Sequence, residues 1–165
     1  MTSEFEITEF KEKLNEFTKK GYPLVKGNPF AILSMNFSSK PFYGNIYDSE
    51  FKITKNANLN LVPYLISGTY KKYGKLTKVN YQIVPMKFGY YWIRIFPIII
   101  NLVGMIFFLA NLKRIEFKTL NFTKIGLAIL CAEIFILLPL ILTEIKKNKF
   151  EKEFIKNLKI KSYQG

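Results

Sequence analysis

The sequence predicts an α+β chain: an N-terminal helix and an antiparallel β-sheet or open barrel over residues 1–90, a two-helix transmembrane hairpin, then a basic C-terminal helix. Three observations predict it. Residues 22–90 alternate apolar and polar side chains with a period of two, the pattern of strands wet on one face. Two apolar runs, 91–112 and 123–143, each reach the ~20 residues needed to cross a bilayer. High apolarity also coexists with strong basicity: of 165 residues 49% are hydrophobic, yet the net charge is +13. That combination describes a membrane protein with wet, basic ends. A uniformly basic soluble domain would point to nucleic acid, which is not expected as a partner here.

Composition excludes much chemistry. The chain has no His and one Cys, Cys131, so an internal disulfide is impossible and a Cys/His zinc site has no ligands. Ser-His and Cys-His catalysis fall with the missing His. No metal and no cofactor are expected. The opening stretch "MTSEFEITEFKEKLNEFTKK" is charged and lacks an apolar core. It does not read as a secretory signal, so the N-terminal domain is expected not to be exported.

Residues 3–20 read as a helix. Ser3 and Glu6 fit a capping box, Gly21 fits the C′ position, and Ile7, Phe10, Leu14 and Phe17 form one apolar face. Its polar face mixes Glu with Lys, which favours packing on its own domain over lying on anionic lipid. In "AILSMNF", Ala31, Leu33, Met35 and Phe37 alternate as a strand. "FYGNIYDSEFKIT" reads as a hairpin turning at Asp48-Ser49-Glu50, and "YLISGTYKKYGKLTKVNYQIV" as a second turning at Gly74. The first helix is expected to cover an end or face of this sheet.

The spans follow. Only "KRIEFKTLN" separates them, which implies a tight antiparallel pair, and Tyr90, Tyr91 and Trp92 sit where an interfacial aromatic belt belongs. Pro97 and Pro139 are tolerable in membrane helices. In the tail, 144–165, Phe150, Phe154 and Leu158 recur every four residues, which suggests a helix lying along the membrane surface. Lys71, Lys72, Lys75, Lys78 and Lys87 precede the first span and seven Lys follow the second, against Lys113, Arg114 and Lys118 in the loop. The flanks outweigh the loop, so both termini are expected in the cytoplasm, with the chain crossing the membrane twice.

Short motifs fail on inspection. "GTYKKYGKLT" lacks the spacing of a phosphate-binding loop and has Leu76 where Ser or Thr must follow the Lys. The two glycosylation-like triplets, at Asn36 and Asn121, are short enough to arise by chance.

Glu133 stands near the middle of the second span and Asn101 near the middle of the first. In an antiparallel hairpin the midpoints share one depth. Arg94, Pro97, Asn101, Gly104 and Phe108 lie on one stripe, and Gly126, Leu130, Glu133, Leu137 and Leu140 on another. Gly104 and Gly126 are expected to let the helices approach. An unpartnered charged acid at that depth costs roughly 2.5–3.5 kcal/mol, so a neutral carboxyl bonded to the Asn101 amide, within one chain or between subunits, is the expected arrangement. A proton or ion site is the minority alternative. Arg94 lies near the cytoplasmic end and is expected to snorkel outward.

The segments "PFYGNIYDSEFKI", "PYLISG" and "GKLTKVNYQIVPMKF", over roughly residues 42–110, resemble a group of small uncharacterised bacterial two-span proteins in which a β-rich cytoplasmic domain precedes the hairpin. The resemblance implies a bacterial inner-membrane location and no particular activity.

The function expected from these features is non-enzymatic: a membrane-tethered interaction, scaffold or sensing module. Lys52, Lys71, Lys72 and Lys78 of the sheet, with Arg94, Lys146, Lys147 and Lys149 near the spans, would meet anionic headgroups or a protein partner. The alternative is a small homo-oligomeric pore or membrane-disrupting effector with the β-domain as sensor. An enzyme would have only Asp48, Glu50 and scattered tyrosines to work with.

Overall fold

A computed structural model describes residues 1–27, 38–56, 62–111 and 122–161. The chain divides into two compact units. Unit 1 comprises Met1–Tyr90 and Thr143–Gly165, and unit 2 comprises Tyr91–Leu142.

Unit 1 is mixed α+β. Its strands are β1 (Thr2–Ser3), β2 (Thr18–Lys20), β3 (Phe42–Ile46), β4 (Glu50–Lys55), β5 (Tyr64–Tyr73), β6 (Leu76–Pro85) and β7 (Ile160–Lys161). They form one sheet in the order β2-β3-β4-β5-β6-β1-β7. Most pairs are antiparallel, but β2 runs parallel to β3, so the sheet is mixed rather than purely antiparallel. The expected strand at 31–37 lies outside the described residues.

Both expected hairpins form. Tyr47 N–H donates to the Glu50 carbonyl at 2.8 Å, closing the β3–β4 turn. The β5–β6 turn is two residues long, Gly74-Lys75, with Tyr73 facing Leu76. Gly74 holds φ +61°, the left-handed value that glycine adopts without penalty at the first position of a II′ turn.

The register sorts the side chains onto two faces. Phe51, Gly68 and Tyr81 form one cross-strand row and Ile53, Ile66 and Ile83 the next, all on the core side. Asn45, Lys52, Ser67 and Gln82 form a row on the other side. Helix α1 (Ile7–Phe17) buries Phe10 and Leu14 against the core face, with the Phe10 ring 5.2 Å from Tyr70.

Three expectations about the ends of unit 1 are corrected. The first helix is shorter than 3–20. Glu6 is its N-cap without a side-chain cap bond, and Thr18 and Lys20 already belong to β2 rather than to a helix ending at Gly21. Ser3 is not a capping-box residue. It lies in β1, and its Oγ donates to the Leu158 carbonyl at 2.6 Å. A strand partner from the far end of the chain outcompetes the local cap.

The tail is not a separate surface helix either. Helix α3 (Phe122–Asn157) carries its last residues into the core of unit 1, where Phe150, Phe154 and Leu158 are all but fully buried. Phe154 meets the rings of Phe42, Phe51 and Tyr81 at 6.2, 5.5 and 5.2 Å. Beyond it, β7 pairs with β1, so Thr2 faces Lys161. Burying four aromatic rings together outweighs what one turn of amphipathic helix gains at a lipid surface.

Unit 2 holds most of helix α2 (Lys87–Asn111) and the first part of α3. Among the described residues one helix, Lys87–Ala110, is long and apolar enough to cross a membrane. The expected second span, 123–143, lies within α3, and the loop between the helices lies outside the described residues. Pro97 and Pro139 both stand inside continuous helix.

Candidate functional site

Two groups of residues stand out, one in each unit. In unit 2 the structure brings Asn101 and Glu133 together. Asn101 Nδ2 donates to the Pro97 carbonyl one turn back, at 3.1 Å, and to Glu133 Oε2 at 3.2 Å. The first bond holds the amide against its own helix, and the second crosses to α3. Both side chains are half-buried. Beside them runs an open apolar groove of about 440 Å³, lined by Arg94, Pro97, Asn101 and Met105 of α2 and by Leu137 and Leu140 of α3. Arg94 sits in the same groove as Asn101, two helical turns away, and is half-buried.

Among the described residues, a Cβ on Gly104 or Gly126 would meet nothing within 4 Å. Small residues permit close approach but do not compel it, and the described hydrogen bond between α2 and α3 is the one from Asn101 to Glu133.

In unit 1 the lysines singled out from the sequence are split. Lys71 faces Lys78 directly across the β5–β6 ladder, and Lys78 in turn faces Thr2 of β1. Lys52 lies on that same face, two strands away from β6. Lys72 does not join them. It faces buried Thr77, whose Oγ1 donates to the Phe5 carbonyl, so it belongs to the opposite face at the hairpin's end. Alternation along β5 forces Lys71 and Lys72 apart.

On α3, Lys147 pairs with Glu144 at 3.6 Å and stands 5.3 Å from the Tyr64 ring centre, while Lys146 is half-buried and Lys149 exposed. The Tyr64 hydroxyl donates to Glu144 at 2.5 Å, Tyr81 donates to Glu151 at 3.0 Å, and Lys55 pairs with Glu153. Sequence reasoning missed this acid–tyrosine seam. Its only signal was three Glu, at 144, 151 and 153, in an otherwise basic tail. Lys26, also missed, is buried, and among the described residues its Nζ has no hydrogen-bond partner; it stands 5.7 Å from the Tyr43 ring centre. Burial lowers its ammonium's pKa, and the Lys19 charge adds to the effect.

Burial, and then the bond to Glu151, push the Tyr81 hydroxyl up to about 12. Burial raises Tyr70 as well, whose hydroxyl donates to the Tyr47 carbonyl at 2.8 Å. A phenol raised in the folded state contributes stability that is complete below its unfolded pKa of about 10 and lost as pH rises through the folded value. Urea midpoints of unit 1 are therefore expected to fall between pH ~10 and ~12, and Tyr81→Phe to flatten that fall. A midpoint independent of pH across this window would contradict the assignment.

Among the described residues no cluster of His, Cys, Asp or Glu has the makings of a metal site. No known protein family, curated protein or solved structure matches this chain.

Proposed function

We propose that the chain is an integral membrane protein held by a two-helix hairpin, with both termini cytoplasmic, whose α+β unit is a non-enzymatic interaction or sensing module. The observation that carries this reading is the composition of unit 1, which is assembled from both ends of the sequence. The chain leaves it after Tyr90 and returns at Thr143. A single crossing would strand Phe150, Phe154 and β7 on the side opposite their partners. An even number of crossings does not, and residues 91–142 suffice for two spans of ~20 residues with a short loop.

The lysine balance supports cytoplasmic ends. Lys146 and Lys149, a few residues beyond the return point, would meet anionic headgroups at roughly 1 kcal/mol each. An alkaline carbonate wash is the direct test. Retention in the pellet is expected, and release into the supernatant would overturn the reading.

The bond between Asn101 and Glu133 favours an anchor over a pore. A pore needs polar groups facing its lumen, and here the two central polar side chains satisfy each other. Glu133→Gln keeps an acceptor of the same shape and is expected to leave anchoring and folding unchanged. Glu133→Leu is expected to loosen the helix pair by about 1 kcal/mol. Crosslinking between cysteines placed on α2 and α3 measures this. Equal crosslinking in all three proteins would contradict a structural role for the bond.

A further inference from the structure

We propose that the turn end of the β5–β6 hairpin is a docking surface for an acidic segment of a partner protein, read by Lys71 and Lys78 on one face of the ladder and by Lys75 at the turn. The proposal rests on the interaction-module reading and names its surface and partner class. These three lysines are exposed and lie within eight consecutive residues. Among the described residues none has a hydrogen-bond or ion-pair partner, whereas Lys11, Lys13, Lys55, Lys147 and Lys161 are all paired with acids of the same unit. No Asp or Glu occurs between Glu50 and Glu116, so nothing on the hairpin offsets their charge.

The register adds a second argument. Lys71 and Lys78 are direct cross-strand partners, an arrangement that costs stability because like charges repel at that separation. A fold that keeps the repulsion exposed, with no internal acid to relieve it, is built to be neutralised from outside. Tyr73 and Leu76 flank the turn and are 50% and 38% exposed, giving apolar contact beside the charge.

Position selects the partner. The base of the hairpin, where Tyr64 faces Pro85, is also where the Tyr90 ring packs on Tyr64 and where Glu144 and Lys147 stand. Both points at which the chain leaves unit 1 are therefore at that base. The turn is at the other end of a ten-residue ladder, about 30 Å away at ~3.3 Å per residue. Lipid headgroups are the natural ligands of Lys146 and Lys149 at the base rather than of the turn. Nucleic acid would want a row of exposed rings for stacking, and the turn offers only Tyr73. A short acidic polypeptide fits the size, charge and flanking apolar contacts.

The test uses the full chain in neutral detergent micelles and a fluorescein-labelled, Glu-rich synthetic peptide, with its Gln counterpart as a blank. Lys71→Gln/Lys78→Gln is expected to weaken peptide binding at least about tenfold. It is also expected to raise the thermal midpoint by about 2 °C, because the like-charge pair is gone. Lys152→Gln/Lys156→Gln removes two exposed lysines from α3 and is expected to change affinity less than about twofold. Equal losses in the two double variants would overturn the proposal, as would tighter binding of a single-stranded oligonucleotide or of phosphatidylserine vesicles through Lys71 and Lys78. Retention after the carbonate wash is read on the same protein. Loss of the turn's selectivity with retention intact sinks the docking surface alone, and release by the wash sinks the anchor reading.

Discussion

Phe154→Ala is expected to destabilise unit 1 by about 3–5 kcal/mol, the range for deleting a fully buried aromatic ring. Phe154 has no exposed surface and packs among Phe42, Phe51 and Tyr81. Its removal opens a cavity between helix and sheet that three rigid rings cannot close. An exposed residue of a surface tail would cost no more than about 0.5 kcal/mol. Tyrosine near-ultraviolet circular dichroism against urea, on the chain in micelles, separates these outcomes. Truncation after Leu142 is the stronger form of the same prediction. It removes Phe150, Phe154, Leu158 and β7 together, and residues 1–90 are then expected to lose fixed tertiary structure.

Gly44→Ala is the second large effect. A Cβ there would lie 2.1 Å from the Lys52 carbonyl oxygen and 2.7 Å from the Ile53 Cα. Both are backbone atoms of the neighbouring strand, so no rotamer change relieves the clash. The β3–β4 ladder must open, and with it the parallel pairing of β2 that leans on β3. The expected cost is about 3 kcal/mol, at the upper end for overpacking. Amide hydrogen exchange should show lost protection in Phe42–Ile46 and Glu50–Lys55. Unchanged protection would mean that β3 and β4 lie farther apart than described.

The parts of the fold that were legible in the sequence are those made by neighbours in sequence. The β3–β4 and β5–β6 hairpins announce themselves through alternation and through Asp48-Ser49 and Gly74 at their turns. The apolar face of α1 is equally local. Strands β1 and β7 are two residues each, too short to carry any period, and they exist because β1 pairs on β6 and β7 on β1. The spacing of Phe150, Phe154 and Leu158 revealed an apolar face without saying what would cover it. Bilayer and sheet satisfy the same pattern, and only long-range packing chose between them. Asn101 and Glu133 stood out because each is the central polar residue of an apolar run. Gly104 and Gly126 have open space beside them among the described residues, and side-chain size says how near helices can come, not how near they do. Lys72 parted from Lys71 by strand alternation, which the sequence contained but which treating the lysines as one group obscured.

The central claim is that the two ends of the chain build one unit, so that residues 91–142 leave it and return on the same side. Cysteines at Thr2 and Lys161, with Cys131→Ser, test this most directly, because those positions face each other across β1 and β7. In sealed membrane vesicles a disulfide is expected on mild oxidation, since paired strand positions fall within the Cα separation a disulfide requires. Before oxidation, a membrane-impermeant maleimide should label both cysteines from the same face. Labelling from opposite faces, with no disulfide formed, would contradict the account.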